Sequence, residues 1–176
     1  DDIDLAGLEV IAGYKAKRDT GTFSYACHAV VVAVDPKLGS VDILDYVIIE
    51  DGGVLVNPMV VDGQIIGGVA QGIGTALYEE MPFDEHGQPL ASTLADYMLP
   101  GAPEVPSIRI QHIESPSPYT EFGQKGIGEG GAIAPPAAIV NAINDALKDM
   151  GVEIAESPIS PKRLLAAITK AKLEHV

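Results

Sequence analysis

The chain has 176 residues, 47% of them hydrophobic, and a formal net charge of −14. That composition suits a globular core in one domain or two small ones, and 11 scattered basic residues exclude the clustered cations that nucleic-acid phosphates require. No apolar run approaches the roughly 18 to 20 residues of a membrane span, and the single Cys27 excludes an internal disulfide.

Residues 1–21 read as an opening segment in which 8-LEVIAGYKA-16 has some strand character before the polar run 17-KRDTGT-22. The acidic start lacks the basic n-region of a secretory signal, so a cytoplasmic protein is the default expectation. Residues 22–176 read as one domain. The segments 23-FSYACHAVVVAVD-35 and 41-VDILDYVIIED-51 are rich in β-branched and aromatic residues. Between them 35-DPKLGS-40 carries the Pro and Gly of a tight turn, which predicts a β-hairpin. In the second strand Val41 and Ile43 are one residue out of step with Tyr46 and Ile48, which predicts a bulge.

Asn57-Pro58 marks the next turn. From Met59 to about Glu80, Val60, Ile65, Val69, Ile73, Ala76 and Leu77 recur at helical spacing, interrupted by Gly63, Gly67, Gly68, Gly72 and Gly74. Glycine costs a helix roughly 0.5 to 1 kcal/mol per position relative to Ala, so the backbone there must meet a packed neighbour or a ligand closely. Next, 81-MPFDEHGQPL-90 reads as a short hairpin turn, residues 91–106 as irregular with one helical turn, and 107-SIRIQHIES-115 as a half-buried strand. Pro135 and Pro136 open an amphipathic helix that starts near Ala134 and runs to about Met150. Ser160 and Pro161 form the N-cap and first position of a C-terminal helix through about Leu173. The predicted class is α+β, a β-hairpin and strands packed with glycine-rich and amphipathic helices.

Candidate metal ligands are sparse. Cys27, His28, His86, His112 and His175 show no zinc spacing, so a metal in this protein is not expected to be held by its side chains. The stretch 123-GQKGIGEGGAIAPPAAI-139 spells G-x-G-x-x-G with Gly126, Gly128 and Gly131. A dinucleotide fingerprint needs a buried strand feeding those glycines and a helix starting inside them. Here the preceding 115-SPSPYTEFGQK-125 is polar and proline-bearing, and the prolines put the helix start beyond Gly131. The fingerprint is therefore rejected. Two readings of Glu129 stay open: a catalytic carboxylate held where glycines let the backbone pass close to a ligand, or a helix cap beside glycines that only turn the chain.

Taken together, 67-GGVAQGIGTALYEE-80, 116-PSP-118 and 125-KGIGEGGAIAPPAAIVNAINDAL-147 resemble the C-terminal part of the molybdenum-binding large subunit of the xanthine oxidase and aldehyde oxidase family, the molybdenum hydroxylases. The likeness extends to 23-FSYACHAVVVAVDPKLGSV-41 and 57-NPMVVDGQIIGG-68, covering about residues 22 to 168. It implies the C-terminal portion of a molybdopterin-binding domain. The family's KGxGE loop matches Lys125, Gly126, Ile127, Gly128 and Glu129. By that resemblance Glu129 is the active-site general base, and the neighbouring main chain contacts the cofactor. The Q-G-[IL]-G pattern matches Gln71, Gly72 and Gly74, which implies that Gln71 binds the pterin and that the glycine-rich helix exists to let it approach. The plainer reading of Gln71 is a polar side chain on a solvated face. Lys125 either approaches the pterin or a phosphate, or stands in solvent.

The resemblance further implies oxidative hydroxylation of an aldehyde or N-heteroaromatic substrate with water as the oxygen source. The metal supplies the nucleophile and Glu129 takes its proton. The implied cofactor is molybdenum-molybdopterin, expected in its cytosine dinucleotide form, with electrons leaving to 2Fe-2S and FAD groups on partner chains. Implied partners are the N-terminal half or larger molybdenum-binding subunit, an iron–sulfur subunit and an FAD subunit, because the family's large subunit is several times longer than this chain. Two positions depart from the family pattern: Gly52, where cysteine is common and whose change is expected to be neutral, and 128-GEGG-131, which lacks the serine associated with carbon monoxide dehydrogenases. The alternatives are a non-catalytic structural or assembly domain of the same fold and, more weakly, a small module that binds NAD or FAD.

Overall fold

A computed structural model describes residues 7, 10–15 and 21–174. The expected strand character of 8–16 is not found at 10–15, which form no regular element, and the rest of that stretch lies outside the described residues. Strands β1 (Tyr25–Asp35) and β2 (Ser40–Asp51) pair antiparallel, and Asp35 Oδ1 accepts the Lys37 and Leu38 N–H groups at 2.7 and 3.1 Å to close the turn. The register jumps between Val31 and Val32, opposite Asp45 and Ile43, so Leu44 is the bulged residue. This extra residue puts Val41, Ile43, Tyr46 and Ile48 on one inner face, as their out-of-step spacing predicts.

Strand β3 (Ile108–His112) adds in parallel to the other edge of β2, giving the order β1-β2-β3. Local sequence could not assign that pairing, because a parallel partner is reached only through a long crossover. The crossover contains helix α1 (Pro58–Leu77), capped by Asn57 Oδ1, which accepts the Val60 N–H at 3.3 Å. Helix α1 buries Val61, Ile65, Val69, Ile73 and Ala76, and ends before the expected Glu80 where Tyr78 leaves the helical backbone. Helices α2 (Gly130–Ile133), α3 (Pro135–Leu147) and α4 (Pro161–Glu174) follow, with a 3-10 turn at Lys148–Met150 ended by Gly151 at φ 66°. Ile139 and Ile143 of α3 and Leu164 and Ile168 of α4 join Tyr46, Ile48 and the α1 residues in one core. Burying each such side chain stabilises the fold by roughly 1.5–3 kcal/mol.

One expectation about the glycine run is corrected. A short helix does run through Gly130 and Gly131, one turn ahead of the prolines. An added Cβ on Gly131 would strike the Ile65 carbonyl of α1, and one on Gly68 would lie 2.8 Å from the Gly131 carbonyl carbon and the Ala132 nitrogen. Gly72 is closed by Pro135, whose Cβ would stand 2.6 Å from the added carbon. Gly68 and Gly72 are therefore small because α1 packs backbone-to-backbone on α2 and the start of α3. Gly63 and Gly67 alone on this helix have nothing within 4 Å of an added Cβ among the described residues.

Candidate active site

The loop that carries Glu129 is fastened to the end of β2. Gly53, at φ 67°, forms an isolated bridge with Gln124, and the Lys125 N–H donates to Gly52 O at 2.9 Å while the Val54 N–H donates to Gly123 O at 3.1 Å. Lys125 is neither a ligand of an open cavity nor solvent-exposed. Its ammonium lies 3.3 Å from Asp51 Oδ1, with side chains 9% and 0% accessible, and 5.5 Å from the centre of the Tyr25 ring. Asp51 Oδ1 also accepts the Gly53 N–H at 2.7 Å and the Ser115 N–H at 3.3 Å. Burial pushes the Asp51 carboxyl up, but hydrogen bonds from Ser115, Gly53 and Tyr25 outweigh it and hold the group below the usual carboxylate range. Ile127 is half-buried against the core, and an added Cβ on Gly52 would lie 2.8 Å from its Cγ2. The departure at Gly52 is thus coupled to Ile127, since a cysteine there would require the isoleucine to move.

From Gly128 the loop emerges into a cavity of about 370 Å³ bounded by Gln64, Gly67, Gln71, Gly128, Glu129 and Ile133, among others. This brings Gln71 and the Gly128–Glu129 pair, far apart in sequence, to one wall. Gly126 is exposed, and Gly72 belongs to the helix seam rather than to this lining. Gln64 fixes the loop by donating from Nε2 to Gly128 O at 3.3 Å. Glu129 occupies the N-cap position of α2 but makes no capping bond, and among the described residues its exposed carboxylate has no hydrogen-bond or ion-pair partner. The capping reading is thereby removed.

The cavity combines open backbone with polar side chains. Its floor is backbone at Gly67 and Gly128, where an added Cβ would meet nothing closer than Gln64 Nε2 at 3.9 Å, and its rim offers the Gln71 amide and the Glu129 carboxylate. Among the described residues no group of three or more His, Cys, Asp or Glu is placed to hold a metal ion. A metal at this wall would need its own organic ligand. His175 lies outside the described residues. No strand leads directly into the glycine run, because β3 stops at His112, so the rejected dinucleotide fingerprint has no support in the backbone.

A second polar cluster was not legible in the sequence. Glu50, the register partner of His112, is 3% exposed and sits beside Asp51 at the end of β2. Its Oε1 lies 3.3 Å from His112 Nδ1, and His112 Nε2 is 2.8 Å from Asp62 Oδ1 on α1. Burial is the main influence on Glu50 and pushes its carboxyl up, with His112 partly offsetting it. The only sequence signal was two consecutive acids closing a β-branched strand.

The profile of the molybdopterin cofactor-binding domain family matches residues 6–106, more than half of the chain. The chain belongs to that family. Its relatives are molybdenum-binding subunits of the xanthine oxidase family. The chain is 41% identical over 161 residues to the nicotine 6-hydroxylase large subunit of Paenarthrobacter nicotinovorans, covering 92% of this chain and 20% of that one. It is 33% identical over 168 residues to the carbon monoxide dehydrogenase large chain of Hydrogenophaga pseudoflava, covering 95% and 20%. Quinoline 2-oxidoreductase from Pseudomonas putida 86 shares its structure with a TM-score of 0.79 at 45% identity, over 81% of this chain and 18% of that one. The chain thus spans about a fifth of the length of the curated relatives it matches. Within this molybdopterin-binding domain the Gln71–Glu129 wall lies on one side of α2 and the Glu50 cluster on the other, with Ile133 lining cavities on both sides. No helix among the described residues is long and apolar enough to cross a membrane.

Proposed function

We propose that this chain supplies one wall of the active site of a molybdenum hydroxylase that inserts oxygen from water into an aldehyde or N-heteroaromatic substrate. The observation that carries the reading is the unpartnered Glu129 carboxylate, held by a glycine loop at the rim of the cavity that Gln71 also lines. A carboxylate with no internal partner is free to accept a proton, and the two anchors of its loop, Lys125 on Asp51 and Gln64 on Gly128 O, hold it where it stands. Gln71 and the open backbone at Gly67 and Gly128 would hold the molybdopterin, in our reading as the cytosine dinucleotide. When bound, that group supplies the redox-active metal and the activated oxygen nucleophile. The role of Glu129 is to take up the proton released as the nucleophile forms its bond to carbon.

The proposal includes the rest of the molybdenum-binding subunit, an iron–sulfur subunit and an FAD subunit as partners, in the cytoplasm. It is supported by names among the relatives such as "dehydrogenase complex subunit" and "large chain". The competing reading, a non-catalytic assembly domain, gives no reason for an open glycine floor beneath a free carboxylate. Gentle purification of the chain from its native cells, with elemental analysis and mass spectrometry of co-purifying chains, tests the assignment. Molybdenum together with iron–sulfur and flavin partners is the expected result, and a metal-free solitary chain would overturn it.

A further inference from the structure

Strand β1 forms one edge of the sheet. It pairs with β2 on one side and, among the described residues, with nothing on the other. In an antiparallel ladder about every second residue turns its N–H and C=O away from the partner strand, so a row of backbone groups along Tyr25–Asp35 is left unpaired. Proteins guard such an edge with lysine, proline, an inward-pointing charge or a bulge in the edge strand itself. The strand 25-YACHAVVVAVD-35 has no proline, lysine or arginine, its one acid stands at its last position, and the bulged residue Leu44 belongs to β2. The side chains agree with the backbone. Helix α3 packs against the inner face of β1, where Val30, Val32 and Val34 join the core, whereas Cys27, Ala29, Val31 and Ala33 form a small, uncharged row on the outer face that is exposed throughout.

We propose that a strand from the part of the molybdenum-binding subunit outside these 176 residues pairs with the free edge of β1 and continues past Tyr25 to close the second cavity. That cavity, of about 290 Å³, lies on the far side of α2 from Gln71 and is lined by Tyr25, Ala26, Glu50, Gly130 and Ile133, among others. Strand β1 starts at this cavity and ends at the hairpin turn, so a strand laid along its whole edge passes beside the turn that follows Glu129. The same end of the edge carries exposed apolar side chains, Phe23, Tyr25 and Ile133, ready to be covered. Three considerations select the occupant. The chain aligns with only 20% of a subunit to which it is 41% identical, so most of that related subunit lies outside the aligned region. An uncharged row of Val, Ala and Cys suits a permanent contact, because electron-transfer partners meet transiently on smaller surfaces and obligate interfaces are the more hydrophobic ones. A second copy fits poorly, since joining two chains of net charge −14 along β1 opposes their charge and leaves the Glu129 wall as open as before. The identity of the partner rests on the function proposed above, whereas the pairing of the edge does not.

The test is hydrogen–deuterium exchange of the intact protein purified from its native cells, read residue by residue by mass spectrometry, with molybdenum content measured alongside. Consecutive amides from Cys27 to Val34 are expected to exchange slowly, the outward-facing ones at least about 100-fold more slowly than in an unstructured peptide. Exchange of every second amide at the unstructured rate overturns the pairing, and does so without touching the hydroxylase reading if the protein holds molybdenum. The occupant is identified by placing the photo-cross-linker p-benzoylphenylalanine at Val31, which is 55% exposed on the outer face. Cross-links to a segment of the molybdenum-binding subunit outside these 176 residues are expected. Cross-links to a second copy of this chain, to its own residues 1–20, or to an iron–sulfur or flavin subunit overturn the proposal. Exchange on the unmodified protein keeps the test decisive if the cross-linker prevents assembly. Slow exchange together with a cross-link to residues outside this chain, in a protein that holds no molybdenum, leaves the pairing standing and removes the hydroxylase reading instead.

Discussion

Replacing Lys125 with methionine should destabilise the fold through Asp51 rather than through any lost surface charge. The ion pair spans 3.3 Å between side chains that are 9% and 0% accessible, a separation worth about 5 kcal/mol at an effective dielectric of about 20, before desolvation. In Lys125→Met the carboxylate stays buried, still accepting the Gly53 and Ser115 N–H groups on Oδ1, while Oδ2 keeps no partner among the described residues. Breaking one side of a buried pair costs about 3–5 kcal/mol, and the double variant Lys125→Met with Asp51→Asn should recover a substantial part of it. Chemical denaturation should show a lower midpoint with an unchanged slope. The pH dependence follows with its sign. Because the Asp51 carboxyl sits below its ordinary value in the folded chain, its contribution is complete above the unfolded value of about 3.9 and is lost as pH falls through the lower folded value. Asp51→Asn should lack that acid-dependent component. A loss smaller than about 1 kcal/mol in Lys125→Met, the level of a surface pair, would refute the reasoning.

Gln71→Ala should lower the molybdenum content of the assembled enzyme while its thermal unfolding midpoint stays within about 1 °C, on the surface-substitution scale; full metal occupancy would remove Gln71 from cofactor binding. The helix glycines should separate by sign. Gly63→Ala, with open space around it, should stabilise by about 0.5–1 kcal/mol, whereas Gly68→Ala should destabilise by about 1–3 kcal/mol because the new carbon meets the backbone of α2, both read by denaturation. Asn144→Ala removes both the donor to Ile154 O and the acceptor of the Ile154 N–H, each at 2.9 Å, and should cost about 1–3 kcal/mol.

Elements whose causes are local were legible. The hairpin, a bulge between Ile43 and Tyr46, the turn at Asn57-Pro58, the prolines opening α3 and α4, and the cap at Ser160 each rest on residues within a few positions of one another. The parallel docking of β3 rests on a connection of more than 50 residues between Asp51 and Ile108, and nothing local announces it. The glycines of α1 show the limit most clearly. Their spacing demanded close backbone approach, but only the structure separates Gly72, which meets Pro135, from Gly67, which floors a cavity, and shows Gly68 doing both, against α2 and in the cavity lining. Glu129 and Gln71 were picked out by motif, and the fold brings them to one wall. Lys125, in the same motif, turned inward because Asp51 lies across the strand end. Glu50 escaped notice because a pair of acids at a strand terminus looks like solvent-facing charge until His112 and Asp62 are folded against it.

The most direct test of the account is the turnover of a Glu129→Gln enzyme, assembled with its partners and normalised to its molybdenum content. If Glu129 is the proton acceptor, turnover falls by about 100-fold or more, with metal content equal to the wild type. Turnover per molybdenum that matches the wild type would contradict the account, since the one unpartnered carboxylate of the Gln71 cavity would then take no part in the reaction.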